Sequence, residues 1–196
     1  VMPWRIQGPF AGPMGRRKPL ERTPDPFVAD PEDLSGPLTD WLPIRLKADG
    51  MLDMAAFTGG AESCSCFAIS RIYSFEDQQA AFLMGTDDSH RIWLNGTLID
   101  EFIGNRPAQP DQDVATAQLK KGWNTVLFKV HSGFGGHGFY FRITDQPLQI
   151  ARALNRKGQF QEALAAWDKL IADHPKETSF LAPRLQASLG AGLHER

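Results

Sequence analysis

The chain has 196 residues and a formal net charge of -2, with 21 Lys and Arg against 23 Asp and Glu. It is long enough to bury one β-core and carry a short helical appendage, and its charge balance lacks the clustered cationic face that nucleic acid requires. No apolar run approaches the roughly 20 residues that span a bilayer, and no secretory n-region and h-region are present.

Residues 2–7 alternate loosely and predict a first strand ending at Gly8-Pro9. From Phe10 to Pro43 the composition shifts to Pro, Gly, Asp and Arg. That is loop chemistry, because proline lacks the donor a ladder needs and Asp-Pro and Gly-Pro pairs favour turns. The single basic cluster, Arg16-Arg17-Lys18, falls here and reads as a solvated loop. A loop this long must pack over a core or line a binding surface, with Phe10, Phe27, Leu34 and Trp41 as its pins.

Two short strands, 44–47 and 51–55, flank Asp49-Gly50, and 66–73 forms a better one. Cys64 and Cys66 would face the same side of a strand, where neighbouring positions lack the Cα spacing of an unstrained disulfide. Small buried thiols are expected, with a strained bridge as the alternative. Residues 79–86 and 90–94 read as strands joined through an acidic turn. Asn95-Gly96 then closes a hairpin, since a type I′ turn needs positive φ at both central residues. Strands follow at 97–102, 114–119, 123–131 and 138–144, separated by a Pro/Asp/Asn loop at 104–112 and a glycine-rich loop at 132–136. Short strands punctuated by turns predict an antiparallel sandwich.

From Leu148 the apolar period becomes helical, with a break at Lys157-Gly158-Gln159 and a stop at His174-Pro175. A helix hairpin is predicted. ALNRKGQFQEALAAWDKLIADHP resembles a tetratricopeptide unit, with Gly158 at the turn, Phe160 after it, Ala163 for close approach, and Trp167 and Leu170 facing inward. Pro147 occupies the place of the usual first-helix aromatic. Residues 178–188 predict a third helix if Pro183 sits in its first turn. One unit cannot bury its own faces, so it must dock on the sandwich, on further repeats or on a partner.

The run GTDDSHRIWLNGTLI (85–99), then Arg106, Asp111 and Asp113, then LKKGWNTVLFKV (119–130), resembles the non-catalytic jelly-roll modules of large bacterial proteins. These are galactose-binding-like and protective-antigen-like lectin domains. The opening WRIQGPF fits them too, so the likeness runs from Trp4 to about Ile143, with residues 11–60 poorly matched. It implies that the adjacent pair Asp87 and Asp88 coordinates calcium, which in turn holds sugar hydroxyls. Hard cations take several oxygen ligands, although Asp is equally a turn residue that bonds its own backbone. Ser89-His90 also replaces the glycine that the family carries after the pair.

Exposed rings are the usual sugar platforms. Trp93, opposite in phase to Ile92 and Leu94, is a candidate, as are Trp41 and Phe134 in loops, although tryptophan more often serves a core. Arg106 with Asp111 and Asp113 is either a binding cluster or a loop-pinning ion pair of small energetic value. His131 and His137 flank the glycine loop, yet two histidines without a third ligand of suitable spacing fall short of a metal site. No G-x-S-x-G elbow, P-loop or H-E-x-x-H is present. Asn95-Gly96-Thr97 fits the N-glycosylation pattern but lies in a tight turn.

The expectation is a mainly β chain: an antiparallel β-sandwich (jelly roll) over residues 1–145, with a C-terminal tetratricopeptide-like α-helical extension over 146–196. The expected role is non-catalytic recognition within a larger bacterial protein, in an extracellular, cell-surface or periplasmic setting, because the chain reads as a fragment. A glycan or polysaccharide would meet Trp93, Asp88, Arg106, Trp41 and Phe134, calcium would sit on Asp87 and Asp88, and a protein would meet the helices. The alternatives are a structural spacer or interaction domain without a small ligand, and an accessory domain of a hydrolase lying outside this chain.

Overall fold

The computed structural model describes residues 3–11 and 41–192. Phe27, Leu34 and the cluster Arg16-Arg17-Lys18 lie outside the described residues. The elements run β1 (Arg5–Ala11), β2 (Leu42–Pro43), β3 (Arg45–Leu46), β4 (Leu52–Asp53), α1 (Ala55–Thr58), β5 (Cys64–Ser74), β6 (Gln78–Asp87), β7 (Ser89–Leu94) and β8 (Thr97–Phe102). There follow β9 (Asp113–Leu119), β10 (Gly122–Ser132), β11 (Gly138–Thr144), α2 (Pro147–Lys157), α3 (Phe160–Asp173), a 3-10 turn (Thr178–Phe180) and α4 (Leu181–Gly190).

The strands form two antiparallel sheets, ordered β2-β1-β5-β10-β7-β8 and β3-β4-β11-β6-β9. They pack face to face as a β-sandwich. Ile6, Cys66, Ala68, Ile72, Ile92, Val126, Phe128 and Val130 of the first meet Phe82, Met84, Ala115 and Phe139 of the second in one buried cluster. Each of these residues is one of an alternating set, so the period of two places it inward. Trp4 fills the centre, edge-on to Phe128, Phe139 and Phe141 at centroid distances of 5.8, 5.2 and 5.1 Å. Burying a ring of this size contributes about 2–3 kcal/mol.

Asn95 and Gly96 both take positive φ, 49° and 81°, between β7 and β8. The first strand, by contrast, does not end at Gly8-Pro9. β1 passes through it as a bulge, with a register shift between Gln7 and Phe10, so Pro9 stands outside the ladder it cannot donate to. The strand expected at 51–55 stops at Asp53. The Asp53 carboxylate accepts from Ala55 N at 3.0 Å, and the Met54 and Ala55 amides both turn onto His137 O, which starts α1.

The helix hairpin forms, with Pro147 in the first turn of α2 and Gly158 in the left-handed conformation at its end. Pro183 sits in the first turn of α4. The helices dock on the outer face of the five-stranded sheet, where Ala81, Leu83 and Val114 join Ala151, Leu154, Ala163 and Trp167 in a second buried cluster. Small alanines on both sides let the layers approach closely. β6 is therefore buried on both faces, although its inward residues alone belong to the sandwich core.

Candidate functional site

Asp87 and Asp88 stand where β6 gives way to β7, at one end of the sandwich. The peptide bond between them is cis. Asp88 is buried and ties two loops together: its Oδ1 accepts from Arg106 N and its Oδ2 from Gly133 N, each at 2.9 Å. Its own amide donates to His131 O at 3.1 Å. Two neutral amide donors leave the carboxylate charge uncompensated and further lone pairs on both oxygens.

Asp87 is half-buried, and no described side chain forms an ion pair with it. Its carboxyl is pushed up to about 6, first by burial and then by the charge of Asp88. The glycine loop between β10 and β11 lies directly over it. A Cβ on Gly136 would sit 2.5 Å from Asp87 Oδ2, and one on Gly133 would sit 3.4 Å from Asp88 Oδ2. That loop is held by Ser132 Oγ donating to Gly136 O at 2.6 Å and Ser63 N donating to Gly133 O at 2.9 Å. At its tip Phe134 is 72 % exposed. An anionic oxygen pair, an open ring and backbone groups thus share one corner.

Arg106 enters this corner through its amide only. Its guanidinium turns inward, pairs with Asp113, reaches Thr86 O at 3.4 Å and stacks 3.7 Å from the Phe102 ring centroid. Asp111 goes elsewhere, to Arg142 at 2.6 Å and Arg156 at 3.4 Å, which holds its carboxyl below the usual range. Trp41 and Trp93 lie away from the corner, packed with Phe67, Ile69 and Leu127 on the outer face of the six-stranded sheet. Trp41 is only 7 % exposed, so it presents no open ring.

Behind the Asp pair runs a buried polar chain that periodicity alone does not expose. Thr86 Oγ1 lies 2.9 Å from both Asp88 O and His90 Nδ1. His90 Nε2 lies 3.0 Å from Asp100 Oδ2, and Lys157 of α2 pairs with Asp100 while donating to Val114 O at 2.9 Å. His90, Asp100 and Asp113 bring ligand atoms within 4.8 Å of one another. Arg106 and Lys157 already balance the two carboxylates, which makes this group an ionic tie between both sheet edges and α2. A signal existed in the sequence: His90 shares its strand phase with Ile92 and Leu94, and an ionisable group facing inward needs partners.

His131 and His137 are both buried. His131 Nδ1 lies 3.1 Å from Ser65 Oγ, and His137 sits between Cys64 Sγ at 3.8 Å and Val130 O at 3.3 Å. Burial holds both rings below their ordinary range, His137 down to about 4. Cys64 and Cys66 are free and buried, and burial pushes the Cys66 thiol up to about 12, with Cys64 adding to it. A neutral histidine beside a protonated thiol is no activated nucleophile.

No family model matches the chain, and no curated protein matches it. Among solved structures it is similar to the PA14 domain of the antifreeze protein MpAFP, at 15 % identity over 41 % of this chain, with a TM-score of 0.36. It spans 43 % of that domain. It is also similar to the PA14 sugar-binding domain of an RTX adhesin, at 15 % identity over 71 % of this chain and 65 % of that one, with a TM-score of 0.34. A family 35 carbohydrate-binding module from Clostridium thermocellum is 14 % identical over 45 % of this chain and 82 % of its own length, with a TM-score of 0.31. The β-sandwich architecture rests on the two sheets themselves, and these likenesses carry no assignment of activity to the chain.

Proposed function

We propose that this chain is a non-catalytic carbohydrate-recognition module whose binding corner is built on Asp87 and Asp88. The observation that carries this reading is one uncompensated anionic pair under a glycine loop whose tip holds an open aromatic ring. The donor set fits a hard divalent cation: carboxylate oxygens with spare lone pairs, one of them on a side chain with no ion-pair partner among the described residues. Asp87 and Asp88 would hold calcium, which supplies charge and open coordination positions for vicinal sugar hydroxyls. Phe134 supplies a ring face for the C–H side of the sugar. Arg106 positions Asp88 through its amide instead of touching the glycan, and Trp41 and Trp93 serve packing.

The experiment is a glycan array read with calcium and again with EDTA, using the wild type and Asp88→Asn. Binding that needs both calcium and Asp88 supports the reading. Absence of binding to every glycan returns the chain to a spacer or interaction domain. A second role follows from α4, where Leu181, Leu185 and Leu189 are exposed one turn apart. That stripe favours a helical protein surface of tetratricopeptide type against which the segment packs. Gel filtration of Leu185→Lys beside the wild type tests whether the stripe mediates association.

A further inference from the structure

Lys157, in the last turn of α2, joins the edge strands of both sheets. Its Nζ pairs with Asp100 of β8 and donates to Val114 O of β9 at 2.9 Å, and β8 and β9 are the terminal strands of the six- and five-stranded sheets. From there a polar chain runs inward to the corner. Asp100 Oδ2 lies 3.0 Å from His90 Nε2, His90 Nδ1 lies 2.9 Å from Thr86 Oγ1, and Thr86 Oγ1 donates to Asp88 O at 2.9 Å.

A second branch reaches the same aspartate. Arg106 donates to Thr86 O at 3.4 Å and to Thr86 Oγ1 at 3.3 Å, pairs with Asp113, and gives its own amide to Asp88 Oδ1 at 2.9 Å. Thr86 and His90 have no exposure to solvent, and Asp88 and Asp113 are buried. The Phe102 ring closes one side of the network, with the Arg106 guanidinium 3.7 Å from its centroid and the His90 ring stacked at 6.2 Å. Groups this buried cannot turn to water for partners, so each holds its neighbour in one orientation.

We infer that the docked α2 sets the cation affinity of the Asp87–Asp88 corner: Lys157 acts through Asp100, His90, Thr86 and Arg106, which are positioning residues for Asp88. Without the Lys157 ammonium, Asp100 and Asp113 are left to share Arg106 and the His90 ring, whose Nδ1 is already 4.0 Å from Asp113 Oδ2. A turn of Arg106 toward Asp100 moves the amide that holds Asp88 Oδ1, and a turn of His90 moves the hydroxyl that holds Asp88 O. A carboxylate free to rotate is a poorer ligand, because it must then be ordered on binding. The sign separates this effect from simple charge. Removing a cation makes the corner more negative, which through space strengthens calcium binding, whereas loss of positioning weakens it. Coupling is reciprocal, so calcium on Asp88 in turn strengthens the docking of α2. The inference rests on the calcium reading for its ion, while the positioning of Asp88 belongs to the chain without it.

The test compares isotope-labelled full chain as wild type, Lys157→Met, Lys157→Arg and Arg156→Met. Arg156 is the neighbouring cation on α2, half exposed and paired with Asp111, so its loss changes the charge and leaves the polar chain intact. In EDTA, Lys157→Met should shift the amide NMR signals of Arg106 and Gly133, the two donors to the Asp88 carboxylate, and speed their exchange, while Arg156→Met leaves them in place. Calcium titration should give a Kd at least tenfold weaker for Lys157→Met, close to wild type for Lys157→Arg, and unchanged or tighter for Arg156→Met. Thr86→Val keeps Lys157 on Asp100 and removes the hydroxyl beside Asp88, and should weaken calcium several-fold. Saturating calcium should slow amide exchange in α2 in the wild type and not in Thr86→Val. Calcium affinity in Lys157→Met equal to the wild type, or tighter in both Met variants, overturns the coupling and leaves the calcium corner standing. A wild type that binds no calcium overturns the cation reading itself, and the Arg106 and Gly133 signals in EDTA then decide whether α2 positions Asp88: unmoved in Lys157→Met, they overturn that too.

Discussion

Replacing Asp87 with Asn isolates the charge at the centre of the account. The Asp87 carboxyl is pushed up from 3.8 to about 6, by burial first and by Asp88 second. A displacement of that size corresponds to about 3 kcal/mol of extra cost for the charged form. The side chain is partly open to solvent, and screening reduces this to about 1–2 kcal/mol. The folded chain holds this proton more tightly than the unfolded chain. Asp87 therefore lowers stability as pH rises from about 4 to about 6, and the deficit stays constant above that. Asn keeps the side-chain outline under Gly136 and removes the charge. Urea unfolding in EDTA across this range should show the variant gaining on the wild type by about 1–2 kcal/mol, with the full gap at pH 7. His131 and His137 act with the opposite sign in an overlapping window, so the difference between the two proteins is the quantity to read. Calcium at a hundred times its Kd should add about 2.7 kcal/mol to the wild type and far less to the variant. A gap that does not change with pH, or a variant less stable than the wild type at pH 7 in EDTA, would show that the buried Asp87 charge carries no such cost.

His137→Gln should flatten acid sensitivity: the buried ring titrates near 4 in the fold and 6.5 when free, so the wild type loses up to about 3 kcal/mol between pH 6.5 and pH 4. An unaltered acid limb in the variant would contradict this. Gly85→Ala should cost about 1–3 kcal/mol, since a Cβ there would overlap the Gln109 carbonyl of the loop packed on β6; thermal melts unchanged within error would dismiss the contact. Lys157→Met, which leaves Asp100 with His90 alone, should lower stability by about 1–3 kcal/mol and raise amide exchange in α2 before that in β5. Uniform exchange would show that α2 does not depend on this tie. Both thiols should resist Ellman's reagent in the native protein and react on unfolding, and rapid native labelling would place Cys64 or Cys66 at the surface.

The sandwich was legible because its strands are short and alternate, and because Asn95-Gly96 announces its own turn. The helix hairpin was legible from its change of period and from Gly158. What escaped was the assignment of faces. Trp93 was out of phase with Ile92 and Leu94, which says that it points outward but not that Phe67, Ile69 and Leu127 gather around it. Proximity in sequence groups Arg106 with both Asp111 and Asp113. Its pairing with Asp113 alone depends on the path of the 103–112 loop over Gly85, which no local pattern encodes. The Asp87–Asp88 pair was visible from its chemistry. The glycine loop above it comes from 45 residues further on, so its fit against the carboxylates appears only in three dimensions.

Calcium-dependent sugar binding requires Asp87, Asp88 and the 133–136 loop together to hold a cation that in turn holds a sugar. Calcium titration of labelled protein by NMR, followed by addition of a glycan retained on the array, tests it most directly. Saturable calcium shifts are expected at Asp87, Asp88, Gly133 and Gly136, then sugar shifts at Phe134 that appear only once calcium is present. Calcium that moves none of these signals at millimolar concentration, or a sugar that binds equally well in its absence, would contradict it.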